Sequence, residues 1–125
     1  MSKLKYGHIT GEILAAAFDV HNYLGSGFQE VIYQRALSYE LHQRRLEHGR
    51  EVEHEIFYKD VPEPIGVRRA DFLVEEKVIV EIKACKELTD VHWAQTINYL
   101  EAFRREVALL INFGGKSVEF KRFMR

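Results

Sequence analysis

Three charged residues in this sequence, Asp71, Glu81 and Lys83, have the types and the spacing needed to cut a phosphodiester bond. They lie in two runs rich in valine, isoleucine and other apolar residues, and a short charged segment separates the runs. This pattern predicts a tight antiparallel hairpin centred on Glu76. In that register Asp71 lies directly opposite Glu81, with the two Cβ atoms roughly 5 Å apart.

The predicted hairpin concentrates charge in one small volume. Side chains alternate between the two faces of a strand, so Lys83 shares a face with Glu81 and lies about 7 Å along the strand. Two opposed carboxylates repel each other, but a bound divalent cation makes the same pair favourable. We therefore expect a site on one face and a core on the other. The site face would carry Arg69, Asp71, Leu73, Ile79, Glu81 and Lys83, and the core face Ala70, Phe72, Val74, Val78, Val80 and Ile82.

A structural interpretation of the same charges competes with the functional one. Charged residues at strand ends are usually solvated, and a lysine beside a glutamate most often forms a weak surface ion pair. However, Glu81 and Lys83 interrupt a run whose apolar density is typical of a strand buried on both sides. Burying a charge without a partner is costly. The pattern therefore favours a functional site.

The chemistry that these residues predict is metal-assisted hydrolysis. The carboxylates of Asp71 and Glu81, with the carbonyl of Ile82, would hold Mg²⁺ or Mn²⁺. The ion would polarise the scissile phosphate and activate an attacking water. Lys83 would either orient that water or balance charge on the phosphorane-like transition state, and the sequence leaves both roles open.

The composition indicates one ordinary globular domain over residues 1–125. The chain is 46% apolar and 30% charged, and its formal net charge of −1 gives no overall attraction to nucleic acid. The single cysteine, Cys85, suits a reducing compartment, and no apolar run is long enough to cross a bilayer. We expect a cytoplasmic protein without membrane contact.

The elements that must position the site follow the order ααβββαββ. A helix is expected from the N-cap Thr10 to about Leu24, after a loose arm over residues 1–8. A turn at two glycines leads to a second helix over residues 29–45 and a half-exposed strand over 50–60. After the hairpin, Thr89 caps a helix to about residue 105, and strands follow over 107–113 and 118–123. The expected fold is α/β, a small mixed sheet flanked by helices.

Two helices carry further polar candidates. Glu30 opens the second helix, where the macrodipole alone explains an acid, yet it follows the glycine turn and could equally point into a cleft. Tyr33 lies on the same side. On the later helix, Gln95 and Tyr99 are four residues apart and therefore stack on one face. His21 is expected to bond a carbonyl instead of a metal.

At these residues the chain resembles the PD-(D/E)XK nuclease superfamily. Asp71 with Glu81-Ile82-Lys83 matches the superfamily signature, and residues 95–99 are similar to the Q-x-x-x-Y helix motif of its RecB-like branch. Residues 27–33 match the G-x-x-E-x-x-Y motif that names a family of small proteins within it. The resemblance extends over about residues 9–123.

This resemblance implies a restriction-endonuclease-like core and a Mg²⁺- or Mn²⁺-dependent nuclease that acts on nucleic acid. DNA is the favoured substrate, although the sequence does not distinguish DNA from RNA. Asp71, Glu81, Ile82 and Glu30 would form the metal site. Lys83 would be the catalytic lysine. The resemblance also implies that Gln95 lies near the attacking water or the lysine. Tyr33, Tyr99 and Arg69 would contact the substrate.

Other functions remain open from the sequence. The fold could serve as an inactive nucleic-acid-binding or assembly module, as a different metal enzyme, or as one partner in a larger complex. A homodimer would double the binding surface. A phosphate-tracking groove could use Arg44, Arg45, Arg68, Arg69, Arg104, Arg105, Lys121 and Arg122, with Tyr23, Tyr33, Tyr58 and Trp93 stacking on bases. More often such residues form a solvated face or a core.

Overall fold

The computed structural model describes residues 4–125, and these residues form three helices and five strands. The helices are α1 (Gly7–Leu24), α2 (Glu30–Gln43) and α3 (Asp90–Phe103). The strands are β1 (His48–Ile56), β2 (Gly66–Val74), β3 (Val78–Lys83), β4 (Val107–Asn112) and β5 (Glu119–Met124). The predicted α/β class and the order ααβββαββ are confirmed, and this order fits a restriction-endonuclease-like core.

All five strands form one mixed sheet in the spatial order β1-β2-β3-β4-β5. Neighbouring strands are antiparallel except β3 and β4, which run parallel and are joined through α3. All six residues of β4 are buried, as expected for an inner strand of apolar sequence. Within residues 4–125, no helix combines the length and apolar character needed to cross a membrane.

Two hydrophobic clusters cover the two faces of the sheet. The larger cluster joins α1 and α2 to the sheet through residues such as Ile13, Leu37 and Val80. The smaller cluster joins α3 to the other face through residues such as Leu100, Ile79 and Leu110. Apolar side chains therefore pack against both faces of β3. A polar group on this strand is shielded from bulk water.

Helix α1 begins earlier than the sequence suggested. It starts at Gly7, so Thr10 is a buried residue of the first turns instead of the N-cap. The Thr10 hydroxyl donates to the carbonyls of Tyr6 and Gly7 within the helix. The described part of the predicted arm is also held, because Lys5 pairs with Glu106 at 2.6 Å. Residues 1–3 of that arm lie outside the described residues.

The hairpin of β2 and β3 has the predicted register. Phe72 pairs with Val80 and Val74 with Val78, which places the centre at Glu76. Glu75 and Glu76 both adopt the left-handed conformation, with φ of 54° and 58°. Such a turn matches the twist of the flanking strands, although glycine or asparagine fits it better than glutamate.

The predicted division into faces is wrong at one position, Ala70. This residue was expected on the core face with Phe72, but it packs in the α3 cluster together with Leu73. The two-residue alternation of β2 is therefore interrupted next to Asp71. The neighbouring β1 strand is irregular at the same level, since Glu51 has φ of 52°. Such irregularities re-aim side chains and are common beside active sites.

Candidate active site

The backbone pairing of β2 with β3 ends at Phe72 and Val80, and just beyond it the strands are joined by hydrogen bonds to the side chains of Asp71 and Glu81. The backbone N–H of Asp71 donates to Glu81 Oε2 at 2.9 Å, and the N–H of Ile82 donates to Asp71 Oδ2 at 2.8 Å. The two carboxylates thus accept backbone N–H groups between the strands. This arrangement brings both acids to the junction of the strands, as the predicted register requires.

Burial makes both carboxyl groups hard to ionise. Glu81 is only 6% exposed, and desolvation followed by repulsion from Asp71 raises its pKa to about 8. Desolvation also raises the pKa of Asp71, and the hydrogen bond from the Ile82 N–H opposes that rise. A pKa of about 8 means that Glu81 keeps its proton at neutral pH, and a cation that neutralises the two acids would be favourable.

Glu30 and Lys83 complete the charge cluster around the pair. The negative charge of Glu30, the first residue of α2, further raises the pKa values of Asp71 and Glu81, while the positive charge of Lys83 lowers both. Lys83 is half-buried and Glu30 is exposed. The structure thus brings together the four charged groups that the sequence singled out.

Gln34 is a site residue that the sequence reasoning missed. Its side chain is 5% exposed, and Nε2 donates to Asp71 Oδ1 at 3.2 Å. A signal was available, because Gln34 lies four residues after Glu30 and so shares its helix face. The carboxylate of Asp71 is therefore held from two sides, by Ile82 of the sheet and by Gln34 of α2.

Tyr33 has a positioning role in place of the expected substrate contact. It is fully buried, stacks on Phe113 with ring centroids 4.8 Å apart, and donates its hydroxyl to Gly25 O at 2.5 Å. The same hydroxyl accepts the N–H of Phe28 at 3.3 Å. These contacts fix the glycine turn in front of α2 and so place Glu30. A buried ring with both hydroxyl contacts in use does not reach a substrate.

The α3 side of the site presents a tyrosine and an arginine. Tyr99 is half-buried, and desolvation followed by the charge of Glu81 raises its pKa. Arg68 lies over the Tyr99 ring at 5.6 Å from the centroid. Arg69, the expected substrate contact, is instead bound to Glu53 at 2.8 Å. Gln95 is exposed, and its side chain makes no hydrogen bond within residues 4–125, so no contact tests its predicted role.

The end of β3 is held in place by the turn after β4. The buried side chain of Asn112 accepts the N–H of Cys85 at 3.0 Å and donates to the Cys85 carbonyl at 2.9 Å. Gly114 lies against the same backbone, where an added Cβ would meet Cys85 O at 2.1 Å. His21 bonds the carbonyl of Gly115 at 3.0 Å, as expected for a structural histidine. This packing fixes the exit of β3 just beyond Lys83.

The residues present fit a divalent cation. Among residues 4–125 no three His, Cys, Asp or Glu side chains already converge as a metal cluster. Two carboxylates are nevertheless sufficient for Mg²⁺, which usually keeps several of its waters. Gln34 Oε1 is buried without any hydrogen-bond partner and so leaves an uncharged oxygen beside Asp71. Asp71, Glu81 and the backbone of Ile82 would hold the ion, with Glu30 nearby.

The largest cavity described lies away from this site. It has a volume of about 600 Å³ and is lined by His42, His48 and the turn residues Glu75 and Glu76. It therefore lies at the closed end of the hairpin, whereas Asp71 and Glu81 lie further along the strands. Neither Asp71 nor Glu81 lines this cavity.

Several basic and aromatic residues of the predicted groove have other partners. Arg44 binds Glu12 and Asp19, and Arg105 lies near Glu76. Lys121 lies over the Trp93 ring at 4.9 Å from the centroid. Of the tyrosines in the predicted groove, Tyr33 is buried, whereas Tyr23 and Tyr58 are exposed. Of the predicted set, Arg68 is the residue that lies over Tyr99, whose pKa is raised by desolvation and by the charges of Glu81 and Asp71.

Comparisons with known proteins concern the family to which the chain is similar. The family model of the PD-(D/E)XK nuclease superfamily matches residues 7–123. No curated protein matches the sequence. Among solved structures, the crystal structure of SSO0001 is 17% identical, with 96% of this chain and 79% of that chain covered and a TM-score of 0.49.

Proposed function

This chain belongs to the PD-(D/E)XK nuclease superfamily, and on that premise we propose that it hydrolyses phosphodiester bonds of nucleic acid, DNA rather than RNA, with Mg²⁺ or Mn²⁺. The observation that carries the proposal is the meeting of Asp71 and Glu81 at the junction of β2 and β3. The buried Glu81 and the half-buried Asp71 repel each other when both are ionised, and a divalent ion turns this repulsion into attraction.

Each charged residue has a distinct role in this proposal. When bound, the ion polarises the scissile phosphate and makes water a better nucleophile at neutral pH. Asp71 and Glu81 hold the ion, with the carbonyl of Ile82, and Glu30 adds negative charge from α2. Lys83 orients the attacking water or stabilises negative charge on the phosphoryl oxygens as it develops.

The substrate is expected to approach along the α3 side of the site. The guanidinium of Arg68 lies over the Tyr99 ring, and desolvation and the charges of Glu81 and Asp71 raise the pKa of the Tyr99 phenol. The described residues give Arg68 no carboxylate partner, so its charge is available to a phosphate. Arg69 already binds Glu53, and substrate would have to compete for it. Gln95 remains proposed to assist Lys83 or the water from α3.

Further features of the proposal rest on the sequence. The single thiol of Cys85 suits the cytoplasm, and a homodimer would extend the binding surface. We also propose that the chain is a member of the family of small proteins named for the G-x-x-E-x-x-Y motif, which residues 27–33 match. An inactive binding or assembly module with the same fold is the alternative function. The tyrosine, tryptophan and basic side chains on the α3 side would serve that function equally well.

A cleavage assay separates these two functions. Purified protein is incubated with linear, circular, single-stranded and double-stranded DNA, and with matched RNA, in millimolar Mn²⁺. The Lys83→Ala variant is assayed beside it. We expect cleavage of at least one DNA by the parent chain and none by the variant. Binding without cleavage by both proteins would support the alternative.

A further inference from the structure

The geometry points to Gln34 as a positioning residue for the divalent ion, a role that rests on the proposed function. Gln34 would fix Asp71 through Nε2 and present Oε1 to the ion or to water in its hydration shell. The juxtaposition that suggests this is a buried carboxamide with one half bonded to a proposed ligand and the other half unpartnered.

Burial makes the unpartnered oxygen informative. The Gln34 side chain is 5% exposed, so Oε1 is not satisfied by bulk water. A buried acceptor without a hydrogen bond costs about 1–3 kcal/mol, and such groups are uncommon in folded proteins. Elsewhere in residues 4–125, the buried side-chain atoms without a partner are arginine Nε atoms of Arg44 and Arg122. Of these three unpartnered atoms, Gln34 Oε1 is a hydrogen-bond acceptor and the two arginine Nε atoms are donors.

The location of this oxygen restricts what it could bind. Oε1 and Nε2 share one carbon, and Nε2 lies 3.2 Å from Asp71 Oδ1, so Oε1 also lies near the Asp71 carboxylate. An acceptor next to an acid suits a cation or a hydrogen-bond donor, and repels an anion. Amide oxygens are common ligands of hard divalent ions and common acceptors for their waters. A nucleic-acid phosphate is excluded as its direct partner.

The donor half of Gln34 excludes the simplest alternative, that the residue only fills space. Nε2 reaches across from α2 to the sheet and bonds a proposed metal ligand. Groups that orient a metal ligand typically change metal affinity 10–100-fold when they are removed. An apolar residue of similar size would fill the same space and lose this effect.

The test measures Mn²⁺ affinity directly, by electron paramagnetic resonance of free Mn²⁺, in the full chain. Gln34→Met keeps the volume and removes both polar atoms, and it should weaken Mn²⁺ binding about 10–100-fold. Gln34→Glu keeps an oxygen for the ion and adds charge but loses the N–H that holds Asp71, so it should bind Mn²⁺ more tightly than Gln34→Met. Gln43→Met, an exposed glutamine at the end of the same helix, is the matched control and should bind as the parent does.

The outcomes separate this inference from the proposed function. Mn²⁺ binding by the parent chain together with equal binding by Gln34→Met would overturn the role of Gln34 and leave the metal site intact. An absence of Mn²⁺ binding by the parent chain would overturn the proposed metal site itself. If Gln34→Met does not fold by circular dichroism, Gln34→Asn decides, because its shorter carboxamide should also weaken binding. Equal affinity in Gln34→Asn would then overturn the inference.

Discussion

The backbone N–H of Asp71 donates to the side chain of Glu81 at 2.9 Å, so an acid on one strand is bound to the main chain of its neighbour. The reciprocal bond runs from the Ile82 N–H to the carboxylate of Asp71. These two bonds hold both acids in place between β2 and β3. The hairpin is thereby the scaffold of the site as well as part of the sheet.

Stability without metal should fall as the pH rises, because burial raises the pKa of Glu81 to about 8. The unfolded chain loses this proton near pH 4.5, whereas the folded chain keeps it until about pH 8. Stability should therefore decrease between these values and level off above them. Urea unfolding across this range measures the effect.

Glu81→Gln should flatten this pH dependence and raise the stability at pH 8 by several kcal/mol, since a neutral amide needs no proton. It also keeps an oxygen to accept the Asp71 N–H. Glu55→Gln, on the exposed part of β1, serves as the control and should keep the parent slope. A Glu81→Gln profile that parallels the parent would mean that Glu81 ionises normally.

Removing either Glu81 or Lys83 should abolish metal-dependent cleavage without unfolding the protein. Glu81→Ala removes a metal ligand, and Lys83→Ala removes the charge that aids the attacking water, so each rate should fall at least about 100-fold. Lys86→Ala, at an exposed position three residues beyond Lys83, should retain the parent rate. Persistent cleavage in either site variant, at matched circular dichroism, would show that the site is assigned incorrectly.

Arg68 should contribute more to nucleic-acid binding than Arg69. Arg68→Ala removes a cation that lies over Tyr99 and has no carboxylate partner among the described residues, whereas Arg69→Ala removes one already paired with Glu53. In the Lys83→Ala background, fluorescence anisotropy should show weaker binding for Arg68→Ala and a salt slope smaller by about 1. A larger loss for Arg69→Ala would restore the residue that the sequence alone favoured.

Two glycine substitutions should have opposite effects on stability. In Gly114→Ala the new Cβ would meet the backbone of Cys85 at 2.1–2.7 Å, so the turn beyond β4 must shift, with an expected loss of about 3 kcal/mol or more. In Gly11→Ala the new Cβ meets nothing within 4 Å inside α1, so the free energy of unfolding should rise by about 1 kcal/mol. Urea unfolding checks both, and a neutral Gly114→Ala would contradict this packing.

The sequence was sufficient to predict the hairpin register and the convergence of its charges. Val74 and Val78 flank a short charged turn, and their register, continued one step past the last backbone pair of Phe72 and Val80, leads to Asp71 and Glu81. Glu30 could not be placed by the same means, because its distance from the sheet depends on how α2 packs. The burial of Tyr33 and its contact with Phe113 fix that packing, and these are long-range contacts.

The errors have local physical causes. Ala70 was assigned to the wrong face because strict alternation was assumed, whereas the backbone next to Asp71 departs from it. The preference of threonine for the N-cap predicts that Thr10 begins α1, but Lys5 and Tyr6 make tertiary contacts, and α1 begins at Gly7. The sequence does not single out Gln34, because glutamine is common inside helices and its hydrogen bond to Asp71 depends on how α2 packs on the sheet.

The most direct test of the metal site is the melting temperature of the metal-free protein as Mn²⁺ is added, in the parent chain and in Asp71→Asn. An ion that binds only the folded state should raise the parent melting temperature progressively with Mn²⁺ concentration. Asp71→Asn keeps an oxygen for the Ile82 N–H but removes a charged ligand, so it should show no rise. An unchanged parent melting curve up to millimolar Mn²⁺, or an equal rise in Asp71→Asn, would contradict a metal site between Asp71 and Glu81.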